Sequence, residues 1–264
     1  MKTLIVADVH LKVTPVGREP LLEFAAFLSS LDPRAYERIV VLGDLFDFWF
    51  EYRHVIFSDY FPVLRAFADL KDAGVDLHLV CGNHDFWAGR FLRDFLGFTI
   101  HADRLEHSFG GKRTLLVHGD GVNAEDWRYR VYKRIARSRW AVSLFGLLHP
   151  DWAMDLGLAV SHGSRTLFMP ADPSKGREVK PLERFARGIL ARGEADVVIC
   201  GHSHYPVMEE APAPSGTGLY INTGDWMFHK TYIEWDGETF RRCWHRREEP
   251  ATAGTPTRYS GVSP

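Results

Sequence analysis

The chain has 264 residues and a formal net charge of −2, with 45% hydrophobic and 25% charged residues. That length suits one large domain or a domain carrying an insertion, and the composition excludes collagenous, coiled-coil and wholly disordered chains. Near-neutral charge argues against bulk electrostatic capture of nucleic acid, and three widely spaced cysteines, Cys81, Cys200 and Cys243, exclude a disulfide framework and suit a reducing compartment.

The apolar run at residues 3–7 stops at Asp8, shorter than a signal peptide and without a cleavage site, so it reads as a first strand. Residues 39–42 and 77–81 are further strand-like runs, separated by amphipathic segments at 21–31 and 57–73, which is an α/β pattern. Each run ends at a glycine, an acid or a histidine. Polar residues therefore gather at strand ends, the edge where open α/β sheets bind ligands. Between residues 104 and 117 two strand-like runs flank Gly110-Gly111, a glycine pair that supplies the positive φ of a hairpin turn, and the second run delivers His118. Residues 123–167 carry helical periodicity and many aromatics with no strand signal, and read as an inserted helical cap. An amphipathic helix at 178–192 and a buried strand at 195–200 then lead into Gly201-His202-Ser203-His204. Strand-like segments near 205–209, 219–222, 230–235 and 239–244 predict a second sheet closing a sandwich. The division is a core of residues 1–122 and 168–247, a cap of 123–167, and a Pro-, Thr-, Gly- and Ser-rich tail, 248–264, expected to be disordered. No run reaches the roughly eighteen apolar residues that a membrane-spanning helix needs.

Five separated blocks at strand ends use Asp, Asn and His: Asp8-Val9-His10, Gly43-Asp44, Gly82-Asn83-His84-Asp85, His118-Gly119-Asp120 and Gly201-His202-Ser203-His204. Residues two apart share one side of an extended segment, so Asp8 with His10 and His202 with His204 can each present two ligands in one direction. Oxygen and imidazole donors without thiolate suit Mn²⁺, Fe²⁺ or Zn²⁺ rather than an all-oxygen Ca²⁺ site. One ion cannot use Asp8, His10, Asp44, Asn83, His118, His202 and His204 together. Two ions about 3.5–4 Å apart can, with Asp44 as the natural bridge.

In order and spacing these blocks resemble the calcineurin-like metallophosphoesterase superfamily, whose pattern is DxH, GDxxD, GNHD/E, a lone histidine and GHxH. The resemblance implies an α/β metallophosphoesterase-type β-sandwich flanked by helices in an αββα stack, here with an inserted cap. Carried over residue by residue, it places Asp8, His10, Asp44 and His204 on one metal and Asp44, Asn83, His118 and His202 on the other. The chemistry implied is in-line attack on phosphorus by a water that has lost a proton between the ions. His84 is the candidate catalytic acid, or the imidazolium that stabilises the transition state. Asp85, grouped with His84 as a catalytic-site residue, and Asp120 would orient neighbouring histidines. Asp47 either caps the following turn or orients a ligand. Thr223-Gly224-Asp225-Trp226 either lines the site entrance or forms a turn.

Two features bear on the substrate. The aromatic block Leu45-Phe46-Asp47-Phe48-Trp49-Phe50-Glu51 follows a metal ligand directly, and its rings either fill the core or line an apolar site. Between Asp126 and Trp140 the cap carries Arg128, Arg130, Lys133, Arg134, Arg137 and Arg139 against Asp126 alone, interleaved with aromatic and aliphatic residues. That combination suits anionic lipid headgroups beside acyl chains, with nucleic-acid binding or a solvated face over an ordinary core as the alternatives.

The GDLFDFW, GNHDFW, HGDG, LLHPDW and GHSHYP blocks together resemble the UDP-2,3-diacylglucosamine pyrophosphohydrolases of lipid A synthesis, from residue 1 to about residue 244. The resemblance implies cleavage of a lipid-linked UDP sugar to UMP and a lipid monophosphate, two divalent ions (Mn²⁺ foremost), and a cytoplasmic location with the cap contacting the inner membrane surface. It also places Asp126, Tyr129, Ser161, Ser164 and Arg165 against the substrate. In one respect the chain departs: His84 stands where many members carry Arg in a GNRD block. This leaves open a phosphodiesterase or nucleotide phosphatase on the same scaffold, or a silent scaffold with structural metals. Because histidine, unlike arginine, can lose its proton, activity is expected to fall on the alkaline side.

Overall fold

A computed structural model describes residues 1–14, 17–123, 127–168, 176 and 178–245, with backbone alone for 160–168. Strands β1 (Lys2–Val6), β2 (Tyr36–Val41), β3 (Asp76–Val80) and β4 (Phe98–His101) run parallel, and β10 (Thr231–Trp235) and β11 (Phe240–Trp244) extend them to a six-stranded sheet in the order β11-β10-β1-β2-β3-β4. The second sheet has the order β5-β6-β7-β9-β8. Its strands are β5 (Arg104–Phe109), β6 (Lys112–Val117), β7 (Val197–Cys200), β8 (Val207–Ala213) and β9 (Gly216–Asn222). β6, β7 and β9 run parallel at its centre, flanked by antiparallel β5 and β8.

Side-chain alternation explains the layering. Leu4, Val6, Ile39, Val41, Leu77 and Leu79 face helices α1 (Arg18–Ser30) and α2 (Phe61–Asp72), whereas Ile5, Ala7, Val40, Leu42 and Val80 meet Leu116, Val197, Ile199, Leu219 and Ile221 between the sheets. On the far side Val117, Val198 and Tyr220 receive Leu182, Ala186, Ile189 and Leu190 of helix α6 (Val179–Ala191). The result is the αββα stack. Strands covered on both faces lack a polar side, which is why β1, β2 and β7 read as unbroken apolar runs.

One expectation is corrected and one strand is new. The segments now seen as β8 to β11 do not form one sheet: β8 and β9 join the second, while β10 pairs antiparallel with β1 of the first. An apolar–polar alternation fits either sheet equally. What selects the first is tertiary: Glu234 of β10 accepts a hydrogen bond from Tyr36 (2.7 Å) and pairs with Lys2 (2.9 Å). β4 was not foreseen either, because the four-residue Phe98-Thr99-Ile100-His101 gives too short a pattern to register.

Between β6 and α6 lie helices α3 (Trp127–Ala136), α4 (Arg139–Phe145) and α5 (Pro150–Phe168). The aromatic block after Asp44 anchors them. Phe46 (0% exposed) stacks on Trp49 (1%) inside the core, and Phe48 and Phe50 pack against Phe145 of α4. The core reading of these rings therefore holds, and no acyl contact by them is required. The 248–264 tail lies outside the described residues. Among the described residues, no helix is long and apolar enough to cross a membrane.

Candidate metal centre

Every block found in the sequence follows the C-terminal end of a parallel strand: Asp8 after β1, Asp44 after β2, Asn83 after β3, His118 after β6, and His202 and His204 after β7. Because both sheets point these ends the same way, the blocks converge. Asp8, His10 and His204 offer ligand atoms within 4.8 Å of one another, as do Asp44, His118 and His202, and a third group of His10, Asp44 and His84 joins the two. Asp44 is the common corner: its Oδ2 lies 3.4 Å from His118 Nε2, 3.6 Å from His10 Nε2 and 3.8 Å from His84 Nε2. Asn83 Oδ1 is 3.2 Å from His118 Nε2.

The backbone is bent to achieve this. Asp8, His10, Asp44, His202 and His204 adopt φ of 53°, 50°, 52°, 66° and 59°. Left-handed conformations in non-glycine residues cost of order 1–3 kcal/mol each and gather at functional sites. Glycine makes room beside them. A Cβ on Gly82 would stand 2.2 Å from Asp44 Oδ1, and one on Gly43, itself at φ +83°, would stand 2.4 Å from His118 Nδ1. Gly43→Ala is accordingly expected to lower stability by about 1–3 kcal/mol and to reduce bound metal, both read by thermal unfolding and elemental analysis; an unchanged melting temperature would contradict the tight fit.

Partners fix each ring. His118 Nδ1 donates to Leu42 O (2.9 Å) and His84 Nδ1 to Asp47 O (2.8 Å), and since a carbonyl only accepts, Nε2 of each is turned toward Asp44. Asp8 Oδ2 accepts from His202 N (2.7 Å), while its buried Oδ1 accepts no hydrogen bond among the described residues and lies 3.4 Å from His204 Nε2. Burial pushes the Asp8 carboxyl up to about 6 against the pull of His204 and His118. Burial likewise opposes charge on Asp44, yet His118, His84 and His10 outweigh it and hold that carboxyl well below its ordinary range. His118 overcomes its own burial through Asp44 and is raised well above the usual histidine value, whereas burial beside His118 pushes His202 down to about 3. Acids and imidazoles thus crowd one another in a buried cluster, and a divalent cation stabilises such a set by taking the place of protons on its ligands. An orphaned carboxylate oxygen, converging imidazoles and no thiolate fit a pair of divalent ions.

The surrounding acids divide by role. Asp85 is completely buried and accepts from Gly82 N (2.7 Å) and Leu45 N (2.9 Å), tying the β2 and β3 loops together rather than reaching a histidine as expected; burial and the charge of Asp44 push it up to about 6. Asp47 Oδ1 sits 3.5 Å from His10 Nδ1, the orienting alternative. Asp120 accepts from the Tyr129 hydroxyl (2.8 Å) and pairs with Lys133 (2.7 Å), so it tethers α3 rather than a histidine, and Tyr129 is engaged in that tether. Lys133 and Arg137, which pairs with Asp103 (2.7 Å), are hence cap anchors and not free cations. Trp87, just past the Asn83 block, donates from Nε1 to Ala136 O at the end of α3 (2.9 Å). Asp126 lies outside the described residues, as do the side chains of Ser161, Ser164 and Arg165 in α5.

Asp225 is the residue whose importance the sequence left open. It follows parallel β9 as Asp8 follows β1, is 0% exposed, and places Oδ2 3.5 Å from His204 Nδ1. An acid after a buried parallel strand was the available signal, but the neighbouring glycine and threonine looked equally like a turn.

The sequence profile of the calcineurin-like phosphoesterases matches residues 1–206. A UDP-2,3-diacylglucosamine hydrolase of Porphyromonas gingivalis is 34% identical over 232 residues, 81% of this chain and 86% of its own. One from Edwardsiella ictaluri is 28% identical over 90% of each chain. Among solved structures, vacuolar protein sorting 29 of Cryptosporidium parvum aligns over 98% of this chain and 97% of its own at 14% identity with a TM-score of 0.47, a likeness too remote to bear on activity.

Proposed function

The chain belongs to the calcineurin-like phosphoesterase family of metal-dependent hydrolases, and from that premise we propose that it cleaves the pyrophosphate of UDP-2,3-diacylglucosamine to UMP and 2,3-diacylglucosamine 1-phosphate, using two Mn²⁺ ions. The observation that carries this reading is the pairing of the acid–histidine clusters with a cap, residues 123–167, that exposes large apolar side chains. Trp127, Val131, Tyr132 and Ile135 on α3 and Trp140 and Leu144 on α4 are all about half exposed or more. Arg128, Arg134 and Arg139 lie exposed among them. Such a surface suits diacyl chains at the inner face of the cytoplasmic membrane, and the curated relatives are named for that lipid-linked substrate. Asp126, Ser161, Ser164 and Arg165 are the proposed headgroup contacts, whereas the hydroxyl of Tyr129, expected beside them, is held by Asp120.

When bound, divalent ions acidify water and neutralise the charge that builds on phosphoryl oxygens. Asp8, His10, Asp44 and His204 would hold one, and Asp44, Asn83, His118 and His202 the other. The side chains do the rest. His84, pinned through Nδ1 on Asp47 O, presents Nε2 on the Asp44 side, where in its protonated form it donates to the oxygen leaving phosphorus. The P–O bond of the pyrophosphate breaks, water supplies the new oxygen on one phosphate, and the bridging oxygen departs with the other. The cap binds the chains and excludes bulk water.

Purified protein with Mn²⁺ should release UMP from the lipid-linked nucleotide sugar. Replacing Trp140, Leu144 and Leu147 by serine should raise KM for it at least tenfold, since burying each such side chain is worth about 1.5–3 kcal/mol, with little change on a simple diester. Ready hydrolysis of simple diesters without UMP release would instead favour the phosphodiesterase reading.

A further inference from the structure

The two halves of the centre are backed differently. In the Asp8–His10–His204 group, both imidazoles have a buried carboxylate behind Nδ1: Asp47 Oδ1 stands 3.5 Å from His10 and Asp225 Oδ2 3.5 Å from His204. The two rings stack, with centroids 5.0 Å apart and planes 9° from parallel. Asp225 is held rigidly. Its Oδ1 accepts from Phe228 N (2.7 Å) and His229 N (3.0 Å), Thr231 N donates to its carbonyl (3.0 Å), and Trp226 N donates to Asp8 O (3.2 Å). Oδ2 is thereby left between His204 and the His229 ring, whose Nδ1 is 3.2 Å away.

The other group is built from weaker donors. Asn83 is neutral where Asp8 carries charge, and His118 Nδ1 is backed by the carbonyl of Leu42 rather than by an acid. Asp120 lies on that side and acts on His118 and His202 through its charge, but its carboxylate contacts Lys133 Nζ (2.7 Å) and the Tyr129 hydroxyl (2.8 Å). A carboxylate behind an imidazole fixes its tautomer and raises its basicity as a ligand, and losing such a partner typically costs 10–100-fold in metal affinity.

We propose that Asp47 and Asp225 are positioning residues that make the ion held by Asp8, His10 and His204 the more tightly bound of the two, so that the centre fills in a set order. Asp225 acts through His204 and Asp47 through His10; neither touches substrate. The inference rests on the two-ion reading, and the test separates the two. Metal-free full-length protein is titrated with Mn²⁺ alone and free ion is measured by electron paramagnetic resonance. Two classes of site should appear, at least about tenfold apart, and Asp225→Asn should weaken the tighter class by roughly 10–100-fold while leaving the looser one in place. A single class, or an unchanged tighter class in a folded Asp225→Asn protein, overturns the proposal. Crystals of the unaltered protein grown with one equivalent of Mn²⁺ need no variant. An anomalous peak among Asp8, His10 and His204 supports the filling order, and one among Asn83, His118 and His202 overturns it with the two-ion reading intact. No Mn²⁺ binding at all sinks both.

Discussion

Asp44→Asn is expected to lower phosphoester hydrolysis by at least about 10³-fold, which is ~4 kcal/mol on the barrier, and to bring bound metal below two ions per chain. The size of the effect follows from geometry, because one carboxylate oxygen lies within 3.8 Å of the Nε2 atoms of His10, His84 and His118 and so serves both halves of the centre. Asparagine is the informative replacement. It tolerates the left-handed backbone seen at φ 52°, which alanine does not, and its amide oxygen can keep the 2.9 Å hydrogen bond from His84 N, so folding survives while the charge is lost. Turnover of the lipid-linked substrate and of a simple diester, with metal content by elemental analysis, measures it. Wild-type turnover with two ions bound would remove Asp44 from the mechanism.

His84→Ala should fall differently: kcat down by roughly 10²–10⁴-fold with metal occupancy nearly intact. Its main-chain N–H still reaches Asp44 Oδ1, so truncating the ring leaves the loop and the proposed ligand Asn83 in place. The ring's own task is the Nε2 face. The same chain carrying His84→Arg should recover activity, because a guanidinium at this position also donates hydrogen bonds and carries charge. Turnover of both variants, with metal content measured alongside, decides the matter. A parallel loss of metal and rate in His84→Ala, or no recovery in a metal-loaded His84→Arg protein, would remove the ring from proton donation.

Most strands and their covering helices could be read in advance, the central strands as unbroken apolar runs and the helices by their spacing, because these are local properties; the four-residue β4 could not. The candidate ligand blocks could be read as well, each built on an acid or histidine placed where an apolar run ends. Sheet membership was not local. β10 and β11 carry the same pattern they would carry beside β9, and only the open edge of β1, with Lys2 and Tyr36 waiting for Glu234, draws them across. The cap shows the same division. Its apolar and basic composition was visible in residues 127–140, but composition did not say which cations are spent on the core; Lys133 and Arg137 proved to be anchors to Asp120 and Asp103.

By itself, then, the order of residues determined most of the strand and helix pattern and the helical segment after β6, and offered a candidate ligand set, since each depends on neighbours within a few positions; the αββα stack was implied only by the family resemblance. The tertiary structure alone decided what stands behind those ligands: Asp225 at His204, Asp47 at His10, a bare carbonyl at His118. Such pairings join residues as far apart as Leu42 and His118. They depend on where parallel strands deliver their loops in space; the chain order offered an orienting role for Asp47 and an entrance or turn role for Asp225, and could not choose between such alternatives.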